Sequence, residues 1–308
     1  MSLKSNSHLG RETAHDVFDR AIPAELVVAP GTEVSLELRD GSNGQITPKT
    51  TADELRGLNF GLMDPLTGPI FVEGAQPGDA IAVEILDISL AGWGWSGILP
   101  NFGLLVDRYP DAYVKIWDVE GDHVDIGGGH RFDLQPMIGV IGVAPEQPGR
   151  HASTVPTVAG GNIDVKYTRK GSRVLLPVFA EGGLLSLGDV HALQGDGELN
   201  GTAIECEADV LVKVDLVKGA GLAAPVIDTP PPARIEERYR SFLGVGPDLW
   251  EAARSASAQA TVALARALKL PEHEAYALLG IIAELRIHEI VDQPNWVVGC
   301  MVPLRLFG

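Results

Sequence analysis

Apolar and polar residues alternate with a period of two over several short stretches of this chain. In Glu33–Arg39 (EVSLELR), Val34, Leu36 and Leu38 alternate with charged or polar neighbours. Ala80–Ile88 repeats the pattern with Ile81, Val83 and Ile85, and Val210–Val217 is a third case. One apolar and one polar face is the signature of a half-buried strand. Pro30–Gly31 and Pro77–Gly78–Asp79 supply turns ahead of the first two, and Lys170–Gly171–Ser172 does so ahead of an apolar strand over Arg173–Ala180. Beyond the Pro-rich breaker Thr229–Pro232 the pattern changes. Ala233–Leu243 and Asp248–Leu268 are rich in Ala, Glu and Arg, which predicts helices. Pro271, followed by Glu272 and Glu274, predicts a further helix start. Ala275, Leu278, Leu279, Ile282 and Leu285 then recur at helical spacing, and Trp296–Leu306 returns to a strand.

These elements predict an α+β protein that is mainly β, with sandwich-like (jelly-roll- or CUB-like) sheets and C-terminal helices. Neither a βαβ alternation nor a strand–GxGxxG–helix unit is evident, and Gly127–Gly128–Gly129 is a lone glycine run. The predicted division is a polar N-terminal tail over 1–17, open to disorder, a β-rich catalytic region over 18–228, and a helical segment with a final strand over 229–308, packed on the same unit.

Composition narrows the picture. The 308 residues are 45% apolar and 21% charged, with 36 Gly and 21 Pro, a globular and turn-rich balance. With 24 basic against 41 acidic residues the formal charge is −17, so no basic stripe exists to neutralise nucleic-acid phosphates or an anionic membrane surface. The N-terminus lacks the apolar core of a secretory signal, and no run approaches eighteen apolar residues. Cys206 and Cys300 each lie in apolar runs, as buried free thiols do in a reducing compartment. A cytoplasmic location is the expectation.

The densest candidate chemistry is Ser186–Glu198 (SLGDVHALQGDGE). Apolar strands frame Asp189, His191, Gln194, Asp196 and Glu198, interleaved with glycines. Residues two apart on a strand face the same way, so Asp189 and His191 project side by side, as shared metal ligation or a carboxylate–imidazole pair requires. A buried carboxylate has to be paired, hydrogen-bonded or metal-bound. The competing reading is a glycine-rich surface turn with solvated acids. Gly160–Asp164, Asp40–Gln45 and Asp64–Pro69 each read as turns by themselves, His288 as an interior or interface group, and Trp93 and Trp95 as pocket wall or as packing.

Taken in order, several stretches resemble the acetamidase/formamidase family: RAIPAELVVAPG (20–31), RDGSNGQI (39–46), DPLTGPIFVEGAQPGD (64–79), GVIGVAPEQPG (139–149), GGNIDVKYTRKGSRVLLPVF (160–179), SLGDVHALQGDGELNGTAIE (186–205) and the ending EIVDQPNWVV. The resemblance implies hydrolysis of short linear amides to carboxylate and ammonia, a mainly β fold with an α/β portion, a homo-oligomer, and a zinc or calcium ion near the site. On that footing Asp189 and His191 ligate the metal with Asp40 as partner, and Glu198 is general base and then acid. Gln194 or Asn162 supplies an oxyanion or substrate-amide donor, while Asp164 and Trp95 complete the substrate site. One histidine among carboxylates suits Ca²⁺, Mg²⁺ or a carboxylate-rich Zn²⁺ site alike. Two alternatives remain: Glu198 or Asp189 as nucleophile or base without metal, and a non-catalytic β-sandwich that binds a small polar molecule.

Overall fold

The structure, a computed structural model, describes residues 3, 5–127, 130–230 and 238–307. Two nine-stranded sheets dominate it. The alternating stretches become neighbours in the first sheet: Thr32–Leu38 and Ala80–Leu90 flank Ala208–Val217, both antiparallel to it. Arg173–Pro177, Val226–Asp228, Tyr239–Gly246, Trp296–Pro303 and Glu284–Glu289 follow in order to the far edge. Ser7–Leu9 closes the near edge, parallel to Thr32–Leu38, so part of the expected tail belongs to the sheet.

The second sheet centres on Leu185–His191, every residue of which is buried. Burial on all sides explains why this strand shows no alternation. Its antiparallel neighbours are Met137–Gly142, Leu66–Val72 and Glu205–Cys206, and the last leads on to Trp93–Ile98 and Tyr113–Asp118. The inward residues of the first sheet (Val34, Leu36, Ile81, Val83, Val210, Val212) meet those of the second (Ile70, Ile138, Leu185, Leu187) in one buried cluster.

Two helices pack on the C-terminal half of the first sheet. Helix α1, Leu249–Leu268, is capped by Asp248, whose Oδ1 accepts a 2.9 Å bond from the Glu251 amide. Its small face, Ala256, Ala260 and Leu264, packs with Phe242, Cys300 and Val302. Helix α2, Glu272–Ile282, begins directly after Pro271. Two helical expectations are corrected. Over Ala233–Leu243, residues 233–237 lie outside the described set and Tyr239–Gly246 is a strand; Leu285 belongs to the edge strand Glu284–Glu289, not to α2. Both cysteines are buried free thiols in different clusters, and burial raises them, Cys206 to about 12 and Cys300 to about 11. Among the described residues no helix is long and apolar enough to cross a membrane.

Candidate active site

The strand Leu185–His191 delivers the two residues its period suggested. Asp189 Oδ2 lies 2.9 Å from His191 Nε2, and both side chains are almost fully buried. The flanking ladder pairs Ile138 with Val190 and Val140 with Gly188, and between these pairs Asp189 takes the left-handed φ of 53°. Gly139 makes room there. A Cβ on Gly139 would sit 2.6 Å from Asp164 Oδ1 and 2.7 Å from Asp189 Oδ2; one on Gly41 would sit 2.6 Å from Asp189 Oδ1 and 3.1 Å from Glu205 Oε2. The two glycines form a cradle for carboxylate oxygens and, at Gly139, for the edge of the His191 ring, whose Cε1 would lie 3.0 Å from the added Cβ.

Further acids converge on the pair from loops and strand ends. Glu205, on the next strand, brings Oε2 to 3.1 Å from His191 Nε2, while its Oε1 accepts from the Ala203 amide at 2.7 Å. On the other side of the imidazole, Nδ1 lies 2.7 Å from Gln194 Oε1 and 3.6 Å from Asp164 Oδ1. Glu198 sits within reach of Asp164 and His191. Asn162 Nδ2 donates to Asp292 at 2.9 Å and to Asp64 at 3.4 Å, and its Oδ1 has no partner. Glu289 Oε1 accepts from the amides of Val291 and Asp292, leaving buried Oε2 unpartnered.

So many carboxyls in a desolvated site cannot all be ionised unaided. Burial, then the charge of Asp189 and Glu205, raises Asp64 well above the usual carboxylate range. Burial, then Asp164, does the same to Glu198, and burial, then Glu289 and Asp164, to Asp292. Burial is also the main reason that Glu205 rises to about 8 and Asp164 to about 6. For His191 burial works downward, but Asp189 and Glu205 outweigh it and raise the imidazole well above its ordinary value. Among the described residues it is the one cationic side chain within 4 Å of Asp164, Asp189 and Glu205.

A divalent cation would relieve the imbalance, and the donor set fits one. Two groups place ligand atoms within 4.8 Å of one another: Asp189, His191 and Glu205, and Asp164, His191 and Glu198. Asp189 Oδ1 and both Asp164 oxygens are buried without a hydrogen-bond donor. Hydrogen bonding chooses between the groups. Gln194 Nε2 donates to the Asp164 carbonyl at 2.7 Å, which turns Oε1 toward His191 and makes Nδ1 the protonated nitrogen. With a cation bound, His191 would be neutral and its lone pair on Nε2, facing Asp189 and Glu205.

The candidates singled out from sequence therefore separate. Asp189, His191, Glu198, Asn162 and Asp164 are brought together. Asp40 is in neither metal-compatible group; its Oδ1 accepts from the Ser42 amide at 2.9 Å, the Ser42 hydroxyl and Trp95 Nε1 at 3.1 Å, and its Oδ2 from the Gly44 amide. It holds a turn and fixes Trp95, which lines the cavity in front of the cluster. Gln194 accepts from His191 Nδ1 through Oε1 and donates one N–H to the Asp164 carbonyl, a pairing that orients the imidazole. Asp196 points away to Lys166, 2.7 Å distant, and to the interior His288. Glu205, Asp64, Asp292 and Glu289 were not singled out. Glu205 had a signal, as a charge inside the apolar run Ala203–Cys206; Asp64 read as a turn, and Glu289 and Asp292 were only part of the C-terminal resemblance.

Comparison with known proteins identifies the family. A profile of the acetamidase/formamidase family matches residues 2–151 and 149–308. The chain is 34% identical to an acetamidase from Mycolicibacterium smegmatis over 81% of its own length and 78% of the relative's. It is 29% identical to a formamidase from Methylophilus methylotrophus over 95% and 89% of the two lengths. A crystal structure of an acetamidase from Bacillus halodurans superposes with a TM-score of 0.89 at 32% identity, covering 97% of this chain and 98% of that one. The family profile, the curated relatives and the fold together place this chain in the acetamidase/formamidase family.

Proposed function

We propose that the chain hydrolyses the C–N bond of linear carboxamides to carboxylate and ammonia, with a divalent cation held by Asp189, His191 and Glu205. The observation that carries this reading is the buried carboxylate cluster around His191 opening on a cavity lined by Asp64, Asn162, Asp189, Glu198 and Glu205. A cation bound there would supply Lewis-acid polarisation of the amide carbonyl and acidify water near neutral pH. The protein's own groups do the rest. Glu198, buried and raised above the usual range, is the kind of carboxyl that accepts a proton from attacking water and returns it to the departing nitrogen. Asn162, tethered to Asp292 through Nδ2, presents a free Oδ1 to a substrate N–H. Gln194 keeps Nδ1 of His191 protonated, so that Nε2 stays directed at Asp189 and Glu205.

Ammonia release from formamide and acetamide by the purified protein tests the reading. Activity is expected, and Asp189→Asn and His191→Ala should each lower kcat/KM by at least about a hundredfold with an unchanged circular dichroism spectrum. Silence of the wild type toward every amide, or near wild-type rates in the folded variants, would reject it.

A further inference from the structure

The cavity in front of the cluster has a volume of about 630 Å³. Allowing about 30 Å³ per water-sized heavy atom, formamide fills roughly 100 Å³ and acetamide little more. Pockets of roughly 300–1,000 Å³ hold ligands several times larger. The acidic groups are gathered at the cluster, and much of the remaining wall is apolar, including Phe60, Met63, Leu99, Phe102 and Trp296. Asn101, Thr154, Thr202 and Gln293 are the uncharged polar members of that wall. Aromatic residues are scarce in this chain, with 5 Trp, 5 Tyr and 8 Phe, yet Phe60, Trp95, Phe102 and Trp296 all line this one space. Phe60 and Leu104 are 45% and 49% exposed where the cavity meets solvent, an apolar mouth that a larger ligand would cover.

Building on the amide-hydrolase reading, we propose that the preferred substrate is a primary amide with a bulky apolar acyl group, an arylacetamide or its branched-alkyl counterpart. The carboxamide meets the carboxylate cluster and the ring lies among Phe60, Phe102 and Trp296. The reaction balances as R–CO–NH₂ plus water giving R–COO⁻ and NH₄⁺. The carbonyl carbon gains a bond to the water oxygen and loses its bond to nitrogen, and both water protons end on the ammonium. Each methylene fully buried in the transition state is worth roughly a fourfold gain in kcat/KM.

The test measures kcat/KM for ammonia release from formamide, acetamide, butyramide, benzamide and phenylacetamide with one enzyme preparation. A rise of at least about a hundredfold from acetamide to phenylacetamide is expected. Phe102→Ala should cut the phenylacetamide-to-acetamide ratio at least about tenfold; should it fail to fold, Phe60→Ala at the solvent edge serves the same purpose. Rates that stay flat or fall with acyl size would overturn the proposal and leave amide hydrolysis standing. No ammonia from any of the five would reject both.

Discussion

Asp64, Asp164, Asp189 and Glu198 share a backbone conformation that L-residues seldom adopt, with φ of 51°, 42°, 53° and 43°. A non-glycine residue there costs of order 1–3 kcal/mol, and such residues persist where the surroundings over-determine them, often at functional sites. Here the left-handed turns aim carboxylates drawn from separate segments at one imidazole. The cradle glycines give this a direct test. Gly139→Ala would set a methyl against Asp164 Oδ1 and Asp189 Oδ2, and displacing them by about 1 Å should lower kcat/KM roughly a hundredfold. The fold should survive, because the methyl meets side-chain atoms (the two carboxylate oxygens and His191 Cε1) and no backbone atom is among its three nearest neighbours. A kinetic and thermal-melt comparison checks it; wild-type kinetics would mean that the two carboxylates need not hold their places. At this scale the sequence was legible where a period existed. Asp189 and His191 are two apart on one strand, and the structure joins them. Asp64, Glu205 and Asp292 come singly from a turn, a two-residue strand and a C-terminal loop, and a lone acid has no spacing to read.

Among the elements, the strands over Thr32–Leu38, Ala80–Leu90 and Ala208–Val217 could be read because each keeps one polar face. Helix α1 could be read from its Asp cap and its Ala-rich composition. Tyr239–Gly246 could not. Its tendency is overridden by position, since it lies between Val226–Asp228 and Trp296–Pro303 with α1 packed against it. Gly244 shows how close that packing is, for a Cβ there would collide with the carbonyl of Ala252 inside α1. Backbone cannot step aside as a side-chain tip can. Gly244→Ala should therefore destabilise by about 1–3 kcal/mol or more, as overpacking does, and chemical denaturation would measure it. Asp189, His191 and Glu205 lie on the other sheet, so kcat/KM at 25 °C should change less than stability does, the link between the two being Leu249 at the start of α1, which lines the cavity. An unchanged denaturation midpoint would show that α1 can shift without cost.

At the scale of the whole molecule, the carboxylate cluster sits inside a chain that already carries a net −17, so neither the site nor the distant surface offers much positive charge to hold its acids ionised. This makes stability depend on pH in a way that a bound cation should abolish. Without a cation, Glu205 and Glu289 titrate at about 8 in the folded protein, chiefly through burial, against ordinary values of 4.5. Between those limits the unfolded chain has released these protons and the folded chain still binds them. Each such group then makes unfolding easier by about 1.4 kcal/mol per pH unit as pH rises. His191 acts in the same direction, because its raised imidazole contributes stability that is present below its unfolded value of 6.5 and is lost as pH climbs through the folded one. His15 and His288, both lowered chiefly by burial, oppose this below their unfolded value of 6.5. Asp196, held down to about 2, does so only below the unfolded carboxylate range, so the fall is fullest between about pH 6.5 and about pH 8. Chelator-dialysed protein should therefore melt at progressively lower temperature from about pH 5 to about pH 8. Protein replete with a divalent cation, whose ligands stay deprotonated throughout, should be more stable at pH 8 by about 2.7 kcal/mol once the free ion reaches a hundred times its Kd. Melting curves at several pH values, with and without added Zn²⁺ or Ca²⁺, separate the two. If dialysed protein shows the slope yet neither ion shifts the melt at pH 8, the cluster is balanced by shared protons and the cation assignment fails.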